Sequence, residues 1–443
     1  MWLPIKTTQT IIDGTKNGNR GGSQVFRRVV QVRPPSGKGT FTMATAIPDR
    51  YTLDYPDLGT GPVPVAPYVS PEFYELERTR VFKKTWLNVA RVEEVPNPGD
   101  YLVREIAVAN ASVIIVRGKD GKIRGFHNVC IHRGNKLVWD DCGSCGAVKC
   151  KYHGWIYSTS GDLIGVPEED MFFDFEKQKI HLAPVATEVW EGFIFINLAD
   201  QPEHSLAEYI RELYPQLNGY PFDKLTACYL YKAELQCNWK IVVDSQQEGY
   251  HAKTLHHRSL PGFLRNEKNP SKHVVHLKLH PRWGVISYFG NRQRTPTTVE
   301  AMAFKFGQAG VTKFAKAFAP ENLPPGLNPT RDPNWAFDEY VIFPNFHLLL
   351  FMGMYITHHV WPLSVDRCIW EARAYLPRPV DAGSWFATEY TRCMLRDAWL
   401  EDGSTLEASQ VGIASGVIDH FILQDQELMI RHYHKVLNEY VQR

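Results

Sequence analysis

Apolar and polar positions alternate most regularly between residues 86 and 200 of the 443-residue chain. Tyr101–Val108, Ser112–Arg117 and Ile123–Asn128 carry the period of half-buried strands, punctuated by the turn signals Asn97-Pro98-Gly99 and Lys119-Asp120-Gly121. Phe193–Asn197 adds one more apolar strand, so this stretch is expected to be a small all-β unit. Upstream, Ser70 is placed to cap a helix with Pro71 at its first position, and the run Glu72–Trp86 continues it amphipathically. The Pro- and Gly-rich residues 50–69 predict an extended arm without a helix. Beyond residue 204 the pattern is mixed, with helical periods at both ends; the longest, Ser404–Val441, is interrupted only by Gly412 and Gly416. The expected fold class is α+β, with a small all-β domain joined to a larger mixed domain.

Residues 1–42 differ in texture, holding seven basic residues against the single acid Asp13. They show no amphipathic period, which favours a disordered tail or upstream read-through ahead of Met43 over an Arg-rich targeting segment. The division that follows is 1–42, an arm and helix at 43–85, the β unit at 86–200 and the mixed domain at 201–443.

Charge and cysteine content narrow the chemistry. With 49 basic and 48 acidic residues the formal charge is +1, which argues against nucleic acid or an anionic membrane as the main partner. No apolar run approaches the roughly 18 residues of a membrane-spanning helix; Phe346–Met354 is broken by His347 and Gly353. Four of the eight cysteines crowd between Cys130 and Cys150, which in a long chain reads as a metal site in a reducing compartment, the cytoplasm.

Cys130-Ile131-His132 and Cys150-Lys151-Tyr152-His153 pair two thiols with two imidazoles. Such a set can hold zinc tetrahedrally, or a [2Fe-2S] cluster with the cysteines on one iron and the histidines on the other. Cys142 and Cys145 allow a third arrangement, a zinc ribbon with Cys130 and Cys150 that leaves the histidines idle. The flanks His132-Arg133-Gly134 and His153-Gly154-Trp155 resemble the loops C-x-H-R-G and C-x-x-H-G-W of the Rieske domain family. That resemblance favours the cluster, one per chain.

A second constellation lies in Asn238–His257. Glu248 and His251 share a helix face, whereas His251 and His256 would stand about 140° apart on a regular helix. Both imidazoles can reach one metal only if the helix ends or distorts between them. Asn238-Trp239-Lys240, Glu248, Tyr250-His251 and His256, downstream of a Rieske motif, resemble the Rieske non-haem iron ring-hydroxylating oxygenases, large (α) subunit. The family usually has Glu-Asn ahead of the acid, where this chain has Asp244-Ser245.

The resemblance implies a larger helix-grip-like catalytic domain with an antiparallel sheet and a long C-terminal helix. It assigns His251 and His256 as ligands of one Fe(II), with His257 as rival to His256, and Glu248 as the carboxylate bridging a cluster histidine and an iron histidine across subunits. A third, carboxylate ligand completes the triad that leaves iron positions open to oxygen. Asp425 is the expected residue, with Glu427 and Asp419 behind it. The implied protein is a terminal oxygenase that hydroxylates an aromatic or otherwise apolar substrate with O2. The alternative is O- or N-demethylation, and a zinc-stabilised binding protein is the remote third. Expected partners are a separate NAD(P)H reductase, with or without a ferredoxin, and two further copies in a homotrimer, with or without a β subunit.

Overall fold

The computed structural model describes residues 50–264, 269, 273–291, 293–314 and 322–443; the predicted tail at 1–42 lies outside them. Ser70 caps helix α1 (Pro71–Leu76) by accepting from the Phe73 N–H at 3.0 Å, and the chain runs on as a π-helical turn through Glu77–Phe82. The arm before it is not wholly extended. Tyr51–Asp54 forms a helical turn, and Pro56–Leu58 and Ala66–Tyr68 are 3-10 turns. The first of these turns is tied down from far away, because Asp425 accepts its opening N–H groups.

The first sheet has seven antiparallel strands: β1 (Leu87–Arg91), β2 (Asp100–Ile106), β3 (Ala111–Arg117), β4 (Ile123–His127), β5 (Cys142–Ser144), β9 (Pro184–Trp190) and β10 (Phe193–Asn197). Their order is β1-β10-β9-β4-β3-β2-β5. Between β5 and β9 sits a three-stranded sheet of β6 (Val148–Lys149), β7 (Ile156–Tyr157) and β8 (Leu163–Gly165). A separate apolar cluster containing Cys130, Cys150, Trp155 and Tyr157 packs under these short strands.

The second sheet, also seven-stranded and antiparallel, has the order β11-β17-β16-β15-β14-β13-β12. Its strands are β11 (Ala227–Leu235), β12 (His276–His280), β13 (Trp283–Phe289), β14 (Trp335–Ile342), β15 (Phe346–Phe351), β16 (Met354–Ser364) and β17 (Arg367–Leu376). Residues opposite one another share a face, so one row runs Ile286, Glu339, Leu349, Ile356, Ala374 and the next runs Val341, His347, His358, Ala372. Phe193 and Phe195 of β10 pack on Phe346 at 5.5 and 5.7 Å, which joins both sheets in one core.

Helix α2 (Trp239–Ser245) follows β11, α3 (Thr298–Phe314) follows β13, and α4 (Ala382–Ala414) and α5 (Leu428–Gln442) close the chain. The expected Ser404–Val441 helical run is thus divided. α4 ends at Ala414, Gly416 takes the left-handed conformation (φ +70°), and Val63 pairs with Phe421 before α5 begins.

Asn238-Trp239-Lys240 owes its side chains to packing as well as to helix initiation. Asn238 Oδ1 caps α2 by accepting from Lys240 N at 3.0 Å. Trp239 Nε1 and Lys240 Nζ both donate to the Glu77 carboxylate, at 2.9 and 2.6 Å, and the Lys240–Glu77 pair has no exposed side-chain surface. α4 is locked to the same point, since Gln410 Oε1 accepts from Asn238 N at 2.8 Å and Glu407 Oε1 from Gln236 N at 2.9 Å.

Candidate metal centres

The two Cys-His loops have the same backbone frame. Cys130 N donates to Asn135 O at 2.8 Å and Gly134 N to Cys130 O at 2.9 Å; Cys150 N donates to Trp155 O at 2.8 Å and Gly154 N to Cys150 O at 3.1 Å. Both frames turn on a left-handed glycine, Gly134 (φ +72°) and Gly154 (φ +76°), which accounts for the glycine in each motif. Both thiols are buried. Tyr157 Oη lies 3.4 Å from Cys130 Sγ, and Asn135 Nδ2 donates to Cys150 Sγ at 3.8 Å. Burial pushes the Cys150 thiol up, but hydrogen bonds from the Tyr152 and His153 N–H groups, with Cys130 and Asn135 adding to them, together bring it below its ordinary value. The imidazoles stand side by side, His132 to His153 at 4.6 Å between centroids, with His132 stacked on Trp155 at 4.9 Å.

The donor set fits a two-iron cluster better than a single ion. His132 Nδ1 is a buried nitrogen without a hydrogen-bond partner, free to act as a ligand. Tetrahedral zinc with bonds of about 2.0–2.3 Å would draw its donors to within roughly 4 Å of one another. Among the described residues the one group of three or more such donors lying within 4.8 Å is elsewhere, so these four do not converge on one point. Cys142 is exposed on β5, paired with Leu102, and Cys145 follows it in the loop; neither joins Cys130 and Cys150 in a ribbon.

The convergent group is His251, His256 and Asp402. His251 Nε2 and His256 Nε2 are 3.2 Å apart, and Asp402 Oδ1 lies 3.6 and 3.1 Å from them. A triangle with edges near 3 Å is one face of an octahedron whose bonds are about 2.1 Å, the 2-His-1-carboxylate arrangement. The chain achieves it as the spacing demanded: helical structure breaks into two 3-10 turns, His251–Lys253 and Leu255–His257, with a non-helical ψ of 30° at His256. Each imidazole is oriented from behind. His251 Nδ1 bonds to Glu248 Oε1, and His256 Nδ1 lies 3.0 Å from Glu401 Oε2, which also accepts from Ser259 at 2.5 Å. These bonds place the protons on Nδ1 and leave both Nε2 lone pairs for a metal. Glu401→Gln is expected to weaken iron binding about 10- to 100-fold with the [2Fe-2S] absorption unchanged, as read by competitive iron chelation.

Asp425 is not part of this group, and the expectation that it supplies the third ligand is corrected. Its carboxylate accepts from Tyr51 N at 2.9 Å and Thr52 N at 2.8 Å, and from the Thr52 hydroxyl, capping the arm's first turn. Glu427 caps its own 3-10 turn through Gln424 N, and Asp419 is an exposed partner of His420. His257 is exposed and bonds to Thr254 O, outside the triangle. Asp402 was visible as an acid within the otherwise largely apolar buried stripe Leu395, Ala398, Asp402, Leu406, and as the second member of the acid-Asp pair Glu401-Asp402.

The triad opens into a cavity of about 150 Å³. Phe263, Tyr288, Phe337, Phe351 and Trp399 contribute aromatic wall, Leu260, Met354 and Ile356 aliphatic wall, and Glu339 and His358 polar groups. Tyr288, Leu349, Phe351 and Met354 line the cavity, while the neighbouring Trp283, Phe343 and Phe346 are buried in the core.

Two sheets, a paired Cys-His cradle and a facial His-His-Asp site define a Rieske-type non-haem iron oxygenase. Comparison with known proteins is specific. Residues 85–180 match the Rieske [2Fe-2S] domain and residues 222–443 the ring hydroxylating alpha subunit (catalytic domain), and the chain belongs to that family. It is 32% identical over 266 residues to the carnitine monooxygenase oxygenase subunit of Acinetobacter pittii, covering 59% of this chain and 68% of that one. It is 34% identical over 189 residues to the glycine betaine monooxygenase oxygenase subunit of Chromohalobacter salexigens, covering 43% of this chain and 42% of that one. Among solved structures, a quaternary ammonium Rieske monooxygenase superposes with a TM-score of 0.69 at 20% identity, over 87% of this chain and 97% of that one. Naphthalene 1,2-dioxygenase from Rhodococcus sp. bound to indole gives 0.66 at 22%, over 88% and 96%. These superpositions establish the fold. The chain is the oxygenase component of a Rieske system, an oxidoreductase that carries a [2Fe-2S] cluster and a mononuclear iron. No helix among the described residues is long and apolar enough to cross a membrane.

Proposed function

We propose that the protein is a monooxygenase of a cationic, amine-type substrate, inserting one oxygen atom into a C–H bond beside nitrogen. The observation that carries this is Glu339, a carboxylate only 4% exposed that lines the cavity beside the triad. Burial pushes its carboxyl above the ordinary value, and the His347 hydrogen bond at 3.0 Å offsets part of that cost. A cation within the aromatic walls would complete the compensation through charge and through the ring faces. The two relatives named for carnitine and glycine betaine support this reading over attack on an aromatic ring.

In this account Cys130, Cys150, His132 and His153 hold the cluster, and His251, His256 and Asp402 hold the iron. When bound, these centres supply single electrons and activate dioxygen. Glu248 fixes His251 through its Nδ1 proton and offers its carboxylate to a cluster histidine of a neighbouring copy in a head-to-tail trimer. The overall balance is substrate, O2, two electrons and two protons giving hydroxylated substrate and water. The N–C–OH carbon becomes a carbonyl as the hydroxyl releases its proton to solvent, the C–N bond breaks and the amine leaves with the electron pair. A separate NAD(P)H reductase, with or without a ferredoxin, supplies the electrons.

Dissociation constants for trimethylammonium compounds and their neutral tert-butyl isosteres test the assignment. The holoprotein should prefer the cations, and Glu339→Gln should weaken them about 10- to 100-fold while leaving the isosteres unchanged. Equal affinity for both sets in the wild-type protein would overturn it.

A further inference from the structure

Glu339 answers for one end of a substrate, and the neighbouring strand holds a group of opposite character that the triad does not use. His358 on β16 is 1% exposed and lines the same cavity. Its Nδ1 accepts a hydrogen bond from Trp370 Nε1 at 2.9 Å, and an indole N–H can only donate. Burial, with the nearby His347 and His359 as lesser causes, holds the imidazole well below its ordinary pKa, so it is neutral. A neutral imidazole that accepts at Nδ1 must carry its proton on Nε2. That Nε2–H is buried and has no partner. Trp399 stands edge-on to the ring at 5.6 Å and Trp370 lies nearly parallel to it at 5.6 Å, so the imidazole is held between two indoles.

An orphaned buried donor is destabilising, a cost removed when a ligand supplies the acceptor. Two other polar groups of the cavity have a partner within the protein. Glu339 accepts from His347, and Ser245 donates to Val242 O while accepting from Gln246. We infer that His358 is a specificity-determining residue whose Nε2–H donates to an acceptor oxygen of the substrate, a carbonyl, carboxylate or ether-type oxygen. The substrate class is thereby narrowed. Beside the cationic end assigned to Glu339 it carries an oxygen acceptor, so a purely hydrocarbon-tailed ammonium is a poor fit. The donor role of His358 follows from its own tautomer and burial, and holds whether or not the opposite end is cationic.

The test uses iron- and cluster-loaded protein and two pairs of probes in which a carbonyl oxygen replaces a methyl group. One pair is (2-oxopropyl)trimethylammonium against isobutyltrimethylammonium; the other is acetophenone against isopropylbenzene. Binding is measured by calorimetry on wild-type protein, His358→Phe and His358→Gln, with iron and sulfide content as the check on folding. In at least one pair the carbonyl member should bind the wild-type protein about tenfold more tightly. His358→Phe should erase the preference by weakening the carbonyl member alone, and His358→Gln, which restores an N–H donor, should keep part of it. Lack of preference in both pairs overturns the inference even if His358→Phe does not fold, as does a preference that survives in a folded His358→Phe protein. Preference in the acetophenone pair with neither ammonium bound would sink the cationic reading and leave the role of His358 standing.

Discussion

Asp402→Ala is expected to purify with its cluster colour intact but without the mononuclear iron, and to lose turnover by about three orders of magnitude or more. The physical reason is the shape of the site. Two imidazole nitrogens 3.2 Å apart are a weak chelate, and Asp402 Oδ1 is the only anionic donor that closes the triangle among the described residues. Asp402 is also 6% exposed, so water cannot readily take its place. The contrasting variant is Asp425→Ala. Its carboxylate caps the arm's first turn, so its loss should cost about 1–2 kcal/mol of stability and leave iron content unchanged. Iron analysis of the two variants in parallel separates the assignments. An Asp402→Ala protein that retained its third iron, or an Asp425→Ala protein that lost it, would reverse them.

Breaking the Glu77–Lys240 pair is the second large effect. Both side chains are fully buried, 2.6 Å apart, and Trp239 Nε1 adds a further bond to the same carboxylate. Removing one partner strands a charge in the core, which typically costs about 3–5 kcal/mol, whereas replacing both with apolar residues of similar volume is often nearly neutral. Lys240→Met and Glu77→Leu should each lower stability by that amount in denaturant unfolding, and the double variant should recover most of the loss. Single variants within about 1 kcal/mol of wild type would show that the pair is not what fixes the arm to helix α2. Its position matters because α2 leads directly into Glu248 and His251.

The legible parts of the molecule were those set by local chemistry. Phe193–Asn197 ends where its apolar run ends, and the strands at 100–106, 111–117 and 123–127 fall within a residue or two of their alternation. Cys130, His132, Cys150 and His153 could be picked out as candidates because each loop carries its cysteine, histidine and glycine within five residues. A break between His251 and His256 followed from helix geometry once both were taken to face one metal, and two 3-10 turns supply it. Asp402 was harder because a helix with Glu389, Asp397, Glu401, Asp402 and Glu407 offers many acids, and the one that reaches the iron site is chosen by tertiary register. That register comes from Gln410 and Glu407 bonding to the backbone at Asn238 and Gln236. The turn at Tyr51 was hidden for the same reason, since its cap lies at Asp425. Asp338-Glu339 was a missed local signal. Two adjacent acids inside an apolar strand must each find a partner, Asp338 with Ser287 and Trp335, Glu339 with His347 at the cavity wall.

The two-site account is tested most directly by iron and acid-labile sulfide per chain on anaerobically purified protein. Three irons and two sulfides are expected, the cluster accounting for two irons and both sulfides and the His251–His256–Asp402 face for the third iron. Zinc without sulfide would contradict the account at its root.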